Sequence, residues 1–549
     1  MSFSLLRPRD AIGVAPRTIP EATVHDLGLE DIARQLAKHR ASDSISLRLL
    51  TELPQSAEEI LYRQATVRLL WQDEQLCNKL EQAHDSLKEL TLFGRTGQES
   101  ERPLMAAIWR LGELELYVDL VKQLRDTLQG VPSDAAALRT LASELEKRAR
   151  EPAFAELEEA LPRLRRGLKL HQSVTIGINL DDRLRPVEAA LLSINSERYR
   201  TGQFLSSFFG KATGNPYVTR TPIHQDSAID PFSGETRTRL PLSPLFDELD
   251  GVLRSMLKPL ARELRSFLGV STGLLRSLVP ELGFFISAVH YLRELDTAGF
   301  PLCFPAVREV KERTSRFDGL YNLRLARHWI DEPDRMVAND IALGAGVRLY
   351  VLTGPNGGGK TTFTQALGLA TVLGQIGLPV PASAASISPV DCVYTHFPAE
   401  ESLEDEIGRF EDEARRVSQI FERVSDQSLV LLNEPLASTS PDEAERIAAN
   451  LLRGFRFIGA RGIVTTHFHA LALDVQALNE ATEGTSDIGT LNAQTRKVAQ
   501  RVKRTYRIVE GPPSGTSYAA DIAKRYGIDE ESLMNRLRSL CDSTDRGTA

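Results

Sequence analysis

The stretch that most constrains this chain is Gly354-Pro355-Asn356-Gly357-Gly358-Gly359-Lys360-Thr361. Its spacing is GxxxxGK[ST], and four of the eight positions are glycine, so the backbone is free to curl until consecutive N–H groups point inward at phosphate oxygens. Side chains at those positions would collide with the ligand. Lys360 brings a point positive charge for the β- and γ-phosphates, Thr361 a hydroxyl for Mg²⁺, and the helix that follows its N-terminal dipole. The apolar run Val347-Arg348-Leu349-Tyr350-Val351-Leu352 ahead of the loop reads as a strand, and a helix is expected to begin near Thr361. The loop, extended through Thr362, is therefore expected to bind ATP with Mg²⁺.

Two later stretches support this reading. Leu429-Val430-Leu431-Leu432-Asn433-Glu434 is an apolar strand that ends in a polar pair. A carboxylate there would stand beside the γ-phosphate and orient or deprotonate the attacking water, which makes Glu434 the candidate catalytic base. Asn433 stands where aspartate usually holds the metal's water shell. Asparagine keeps an acceptor oxygen and loses the charge, so weaker Mg²⁺ binding and slow or partner-dependent hydrolysis are expected. Thr465-Thr466-His467 follows another apolar run, and His467 is placed to sense the γ-phosphate.

The chain of 549 residues is long enough for about three or four domains. Helical periodicity runs from Asp26 to about Leu90 and from Leu104 to about Leu164, broken at Thr51-Glu52-Leu53-Pro54 and at residues 130–133. Val174, Ile176 and Ile178 then alternate with small or polar residues, as in a half-buried strand. Residues 170–240 read as a mixed insert with strands, and helices resume over Leu245–Leu268 and Leu282–Leu295. After Arg335 short apolar runs alternate with helical stretches, the signature of a largely parallel buried sheet. The expected fold is multidomain: an α-helical core and lever with a small clamp-like insert, followed by an α/β P-loop domain.

Cys77, Cys303, Cys392 and Cys541 lack metal-site spacing and read as reduced thiols. No run of about 18 apolar residues suggests a membrane span, and the first residues do not resemble a secretory signal. A cytoplasmic protein is expected. The formal net charge of −8 gives no global attraction for nucleic acid, so DNA contact would need a local basic face.

Taken in order, the loop, the Asn433-Glu434 pair and Thr466-His467-Phe468-His469-Ala470-Leu471 resemble the ABC-type ATPase domain of the MutS family of DNA mismatch-repair proteins. Arg327-His328 and Met336-Val337-Ala338-Asn339-Asp340-Ile341 look like the family's segment around the nucleotide base. Arg504 to Gly511 and Gly515 to Ala523 are similar to its closing strand and helix. The resemblance covers residues 320–540. It implies that Asn356 reaches the γ-phosphate region, that the chain forms a homodimer, and that helical arms and clamps embrace DNA. On that layout residues 1–105 form a helical core, 106–320 the levers and clamp-like insert, 321–510 the ATPase domain, and 511–549 a helical dimerisation segment.

The departures from the family carry information. Only about 25 residues precede the stretch that resembles the helical core, so the mismatch-reading domain is not expected, nor is a nuclease-like domain after Ala549. Where the family places a serine-bearing loop that reaches the partner's γ-phosphate, this chain has Gly408-Arg409 with no serine following. Arg409 is a candidate arginine finger in trans. The same stretch also reads as a solvated acidic helix start, with Phe410, Ala414, Val417 and Phe421 at helical spacing. Pro435-Leu436-Ala437-Ser438-Thr439-Ser440 replaces a glycine-rich run.

Two functions follow. One is a dimeric ATPase that clamps DNA in repair or recombination without standard mismatch reading, served by Arg163, Arg165, Arg166, Lys169, Arg198, Arg200, Lys211 and Arg220, with Tyr199, Phe204 and Tyr217 interleaved. The other is an ATP-driven switch acting on a protein or ribonucleoprotein. A small-molecule kinase is disfavoured, because long helical arms have no place in one.

Overall fold

The computed structural model describes residues 3–11, 16–99, 103–169, 173–180, 182, 186–195, 220–222, 226–229, 236–239, 262–267, 269–398, 409–436, 438–498, 501–512 and 526–545. They fall into two compact units. The first comprises Met1–Cys77, Pro132–Leu138 and Pro280–Ala549, and the second Asn78–Val131 and Arg139–Val279.

The first unit is organised by a six-stranded sheet in the order Val393–His396, Leu429–Asn433, Arg461–Thr465, Val347–Thr353, Asp487–Val498, Arg501–Glu510. Its first five strands are parallel and the last is antiparallel. Leu429–Asn433 and Arg461–Thr465 are buried along their whole length, which explains the unbroken runs Leu429–Leu432 and Gly462–Val464 inside them in place of alternation. A second sheet of four strands, ordered Asn339–Leu343, Ser315–Leu320, Ala384–Ile387, Ala306–Val307, belongs to the same unit.

The helix Lys360–Gln375 packs against both sheets, with thirteen of its sixteen residues buried. A helix closed in on every side has to be apolar or small all round, and its sequence obliges with Phe363, Ala366, Leu367, Gly368, Leu369, Ala370, Val372 and Leu373. Gly368 is required by close approach, since a Cβ there would lie 2.6 Å from Leu27 and 2.9 Å from Leu431. The opposite face of the sheet is covered by Pro441–Ile458, which buries Ala444, Ala448, Leu451, Leu452 and Phe455 at helical spacing. Phe455 stacks on Phe421 at 4.4 Å.

The expected division placed residues 1–105 in a helical core of their own. The structure instead gathers the first 77 residues with the sheet unit. Helix Glu21–Leu27 lies along the edge strand Val393–His396: Thr395 N donates to Thr23 Oγ1 at 3.1 Å, and Asp26 Oδ2 accepts from Thr395 Oγ1 at 2.7 Å and Phe397 N at 3.1 Å. Burial raises the Asp26 pKa, while Thr395 and Arg416 oppose the rise. An uncovered edge would expose a row of pairing groups, and this helix closes it.

The second unit is mostly helical, with Pro103–Thr127, Ala136–Ala149 and Pro152–Lys169. Its core includes Leu114, Val121, Leu145 and Leu157. The expected strands of the insert are present: Ser173–Leu180 pairs antiparallel with Pro186–Asn195, and Asp226–Ile229 with Thr236–Arg239. The helix expected over Leu245–Leu268 lies largely outside the described residues. Helix Gly273–Thr297 extends the expected Leu282–Leu295 at both ends. At the C-terminus one helix, Glu530–Asp545, is described, and Asp529 Oδ1 caps it by accepting from Ser532 N at 3.2 Å. Residues 513–525 lie outside the described residues. Among the described residues no helix is long and apolar enough to cross a membrane.

Candidate nucleotide site

The strand Val347–Thr353 delivers the chain into the glycine loop, and the helix starts at Lys360. Gly354, Gly357 and Gly359 hold φ values of 136°, 70° and 92°, a region that other residues enter only with strain. A Cβ on Gly354 would fall 2.7 Å from Ala493, and one on Gly357 2.6 Å from the Arg504 guanidinium. The loop is thus pressed from outside by the strands Asp487–Val498 and Arg501–Glu510, and its inner surface is left to a ligand.

That surface opens on a cavity of about 480 Å³. Asn356, Gly357, Gly359, Lys360, Thr361 and Thr362 line it, together with Asn433 and Glu434. Gly354, Pro355 and Gly358 form the back of the loop, where Gly358 N donates to Pro355 O at 3.0 Å. Lys360 is buried, and its Nζ donates to Gly354 O at 2.9 Å and Pro355 O at 3.4 Å, 3.7 Å from Glu434 Oε1. Burial lowers its pKa, while Glu434 pulls it back up.

Asn433 is the hub of the polar end. Its Oδ1 accepts from Thr361 Oγ1 at 3.1 Å and from Thr465 Oγ1 at 2.7 Å, and Thr465 Oγ1 accepts from Glu434 N at 3.2 Å. Glu434 (φ 47°) and Leu436 (φ 60°) take left-handed backbone on either side of Pro435, stored strain of the kind found at functional sites. His467 Nδ1 stands 4.0 Å from Glu434 Oε2, so it reaches the cavity through the carboxylate rather than lining it. Arg409 starts the helix Arg409–Phe421. Its side chain and the loop before it lie outside the described residues.

The far end of the cavity differs from the sequence reading. Trp329, Arg335, Met336, Val337, Asn339 and Tyr506 also line the cavity, whereas Arg327 and His328 do not. Those two sit on the other side of helix Leu323–His328, because successive helical positions diverge by about 100°. The Arg335 guanidinium stands 4.7 Å over the Trp329 ring. Tyr506 adopts φ 57° beside a register shift in its strand pair. Asn339 fixes that irregularity: its Nδ2 donates to Tyr506 O at 3.1 Å, and its Oδ1 accepts from Ile508 N at 2.7 Å. Asn339 and Tyr506 stood in the segments already compared with a family and were not singled out as site residues. Trp329 carried no signal of its own, and Thr465 entered only as part of the stretch that ends in His467.

Comparison with known proteins accounts for most of the chain. The MutS domain V family model matches residues 350–541, and the MutS2 N-terminal domain model matches residues 55–298. The chain belongs to the MutS family. It is similar to Endonuclease MutS2 of Bacillus velezensis, 35% identical over 39% of this chain and 26% of the relative. The corresponding proteins of Shouchella clausii and Latilactobacillus sakei are 31% and 29% identical over 52% and 58% of this chain, and over 33% and 38% of their own lengths. The matches therefore span well under half of these curated relatives. The MutS domain V match contains the cavity-lining residues from Asn356 to Tyr506, those from Leu320 to Asn339 lie between the two matches, and the MutS2 N-terminal match covers the helical stretch and the insert.

Proposed function

We infer that this MutS-family chain binds ATP in the glycine-loop cavity and uses it as a dimeric switch on DNA, in repair or recombination. The observation that carries the reading is the continuity of one cavity, from a cradle at Lys360 and Thr361, with Tyr506 against Gly359, to an aromatic and apolar wall at Trp329, Met336 and Val337. A nucleotide has the same division, with charge at one end and a flat ring at the other.

In this mechanism the loop N–H groups and Lys360 hold the β- and γ-phosphates, Asn356 reaches the γ-phosphate, and Tyr506 and Trp329 flank the base. Bound with the nucleotide, Mg²⁺ supplies charge neutralisation between the phosphate oxygens. Thr361 suits it as a ligand. Asn433 suits it poorly, because both lone pairs of its Oδ1 are taken by the Thr361 and Thr465 hydroxyls, and the remaining amide nitrogen only donates. Glu434 orients the attacking water, with His467 setting its charge environment, and Arg409 of a second copy completes the site.

Asn433→Asp is therefore expected to raise the dependence of ATP affinity on Mg²⁺. Restoring one anionic acceptor beside the ion is worth about 1–3 kcal/mol, which predicts a gain of about tenfold or more in affinity with Mg²⁺ over EDTA. Calorimetric titration of both proteins in each buffer measures it. An equal Mg²⁺ effect in both would remove Asn433 from the metal's surroundings.

The DNA part of the reading rests on family membership. Of the basic residues named for it, Arg163 and Arg165 are described and lie 3.8 and 3.7 Å from Glu263 and Glu115. The side chains of the rest lie outside the described residues. Gel shifts with duplex, branched and single-stranded DNA, with and without a non-hydrolysable ATP analogue, are expected to show nucleotide-dependent binding that weakens as salt rises. No binding to any form at low salt would eliminate the DNA reading in favour of a protein or ribonucleoprotein partner.

A further inference from the structure

Behind the nucleotide cavity lies a second one of about 470 Å³. Its walls are helices Leu29–Ala37 and Leu323–His328, Tyr291, and the first turns of the loop helix at Thr362 and Gln365. The two cavities share Asn322, Leu325 and Thr362. Asn322 ties the partition to the loop helix: its Oδ1 caps Leu323–His328, accepting from Arg324 N at 3.0 Å and Leu325 N at 3.1 Å, and its Nδ2 donates to Thr362 O at 3.0 Å.

The charge balance of this second cavity is uneven. Arg34, Arg324 and Arg327 line it, and Asp31 is the one carboxylate in its wall. Arg34 and Arg324 both bind that single carboxylate, the latter at 2.5 Å, while Arg327 reaches Glu294 at 2.6 Å outside the wall. Three guanidinium groups thus share two acids. Each guanidinium has five N–H donors in a planar fork, the geometry that matches phosphate oxygens. Arg324 is also held in place. A Cβ on Gly28 would fall 2.4 Å from its Cζ, so the guanidinium lies flat against a glycine. The remaining wall offers an apolar side in Ile32 and Leu325 and amides in Gln35 and Gln365, which suit a base and its polar edge.

We propose that this cavity is a second anion site that takes a nucleoside phosphate, back to back with the glycine-loop site. It deepens the nucleotide reading, since a ligand there would bear on Thr362, next to Thr361, but its own chemistry does not depend on the loop. The test is calorimetric titration of ADP and of inorganic pyrophosphate into the full chain and its Lys360→Ala, Arg34→Glu and Arg324→Gln variants. The Arg34 side chain is 63% exposed, so its replacement leaves the fold intact and a loss of binding there reports the site. The unsubstituted chain is expected to bind two ADP. Lys360→Ala is expected to keep one site, open to pyrophosphate, and adding Arg34→Glu or Arg324→Gln to weaken that site about tenfold or more. Complete loss of both ligands in Lys360→Ala alone overturns the proposal, as does residual binding indifferent to both arginine changes. ADP binding that is equal in the unsubstituted chain and Lys360→Ala, and lost in the arginine variants, would support this site and refute the loop reading.

Discussion

Lys360→Ala is expected to lower ATP affinity by about 100-fold. The ammonium is buried and held by the carbonyls of Gly354 and Pro355, with Glu434 at 3.7 Å. Burial lowers its pKa, and the neighbouring Glu434 carboxylate opposes that fall. Phosphate oxygens offer it stronger acceptors than peptide carbonyls, and charge-assisted bonds of this kind are worth about 1.5–3 kcal/mol each. Losing one or two of them corresponds to the stated factor. Adenosine, which lacks phosphates, should bind the variant as well as the unsubstituted protein, because Trp329, Met336 and Tyr506 are untouched. Titration with a fluorescent ATP analogue, with Arg34→Glu present in both proteins, reads the change at the loop. An affinity within about threefold of the original would show that the loop does not hold phosphates in this way.

The second large effect is on stability. Arg461→Met is expected to destabilise the sheet unit by about 3 kcal/mol. Arg461 is fully buried, and its pKa is pushed down to about 10, chiefly by that burial. Among the described residues no carboxylate bonds it directly. Its guanidinium donates instead to the carbonyls of Thr314, Ser388, Pro389 and Gln427 and to Ser315 Oγ, at 3.0–3.2 Å. Those acceptors come from the second sheet, from the segment after Ala384–Ile387, and from the turn before Leu429–Asn433, so one side chain joins parts far apart in sequence. Methionine fills a similar volume but takes the guanidinium donors away from the Ser388, Pro389 and Gln427 carbonyls, while Thr314 O keeps its bond from Ser388 N at 2.7 Å. Removing the buried charge offsets part of that cost. Urea unfolding of both proteins measures the difference, and a change below about 1 kcal/mol would mean that water takes over the orphaned carbonyls.

The chemistry of the site was largely legible in the sequence because each part is a short local pattern. The loop is contiguous, and its glycines are dictated by backbone conformation and close approach that any such cradle needs. Asn433 and Glu434 follow an apolar run that had to be a buried strand, and parallel register brings that strand's end beside Thr465. The exchange of aspartate for asparagine at residue 433 is also visible in the letters alone. Its consequence is not: only the two hydroxyl contacts reveal that Oδ1 has no lone pair left.

What sequence could not settle is long-range. Arg327 and His328 were assigned to the base pocket by resemblance, and the direction of a helix face sent them to a different cavity. Tyr506 entered the site through a strand irregularity held by Asn339, 167 residues away. Residues 1–105 read as a helical core segment, and contacts such as that of Glu21–Leu27 with a sheet edge gather the first 77 of them with the sheet unit. Arg461 looked like any strand residue until five acceptors from distant segments met around it. Local patterning determined which elements form and which groups bear the chemistry, because backbone conformation and burial period act over a few residues. Only the tertiary structure decided which walls those groups share, because that depends on how apolar faces and buried polar groups from remote segments satisfy one another.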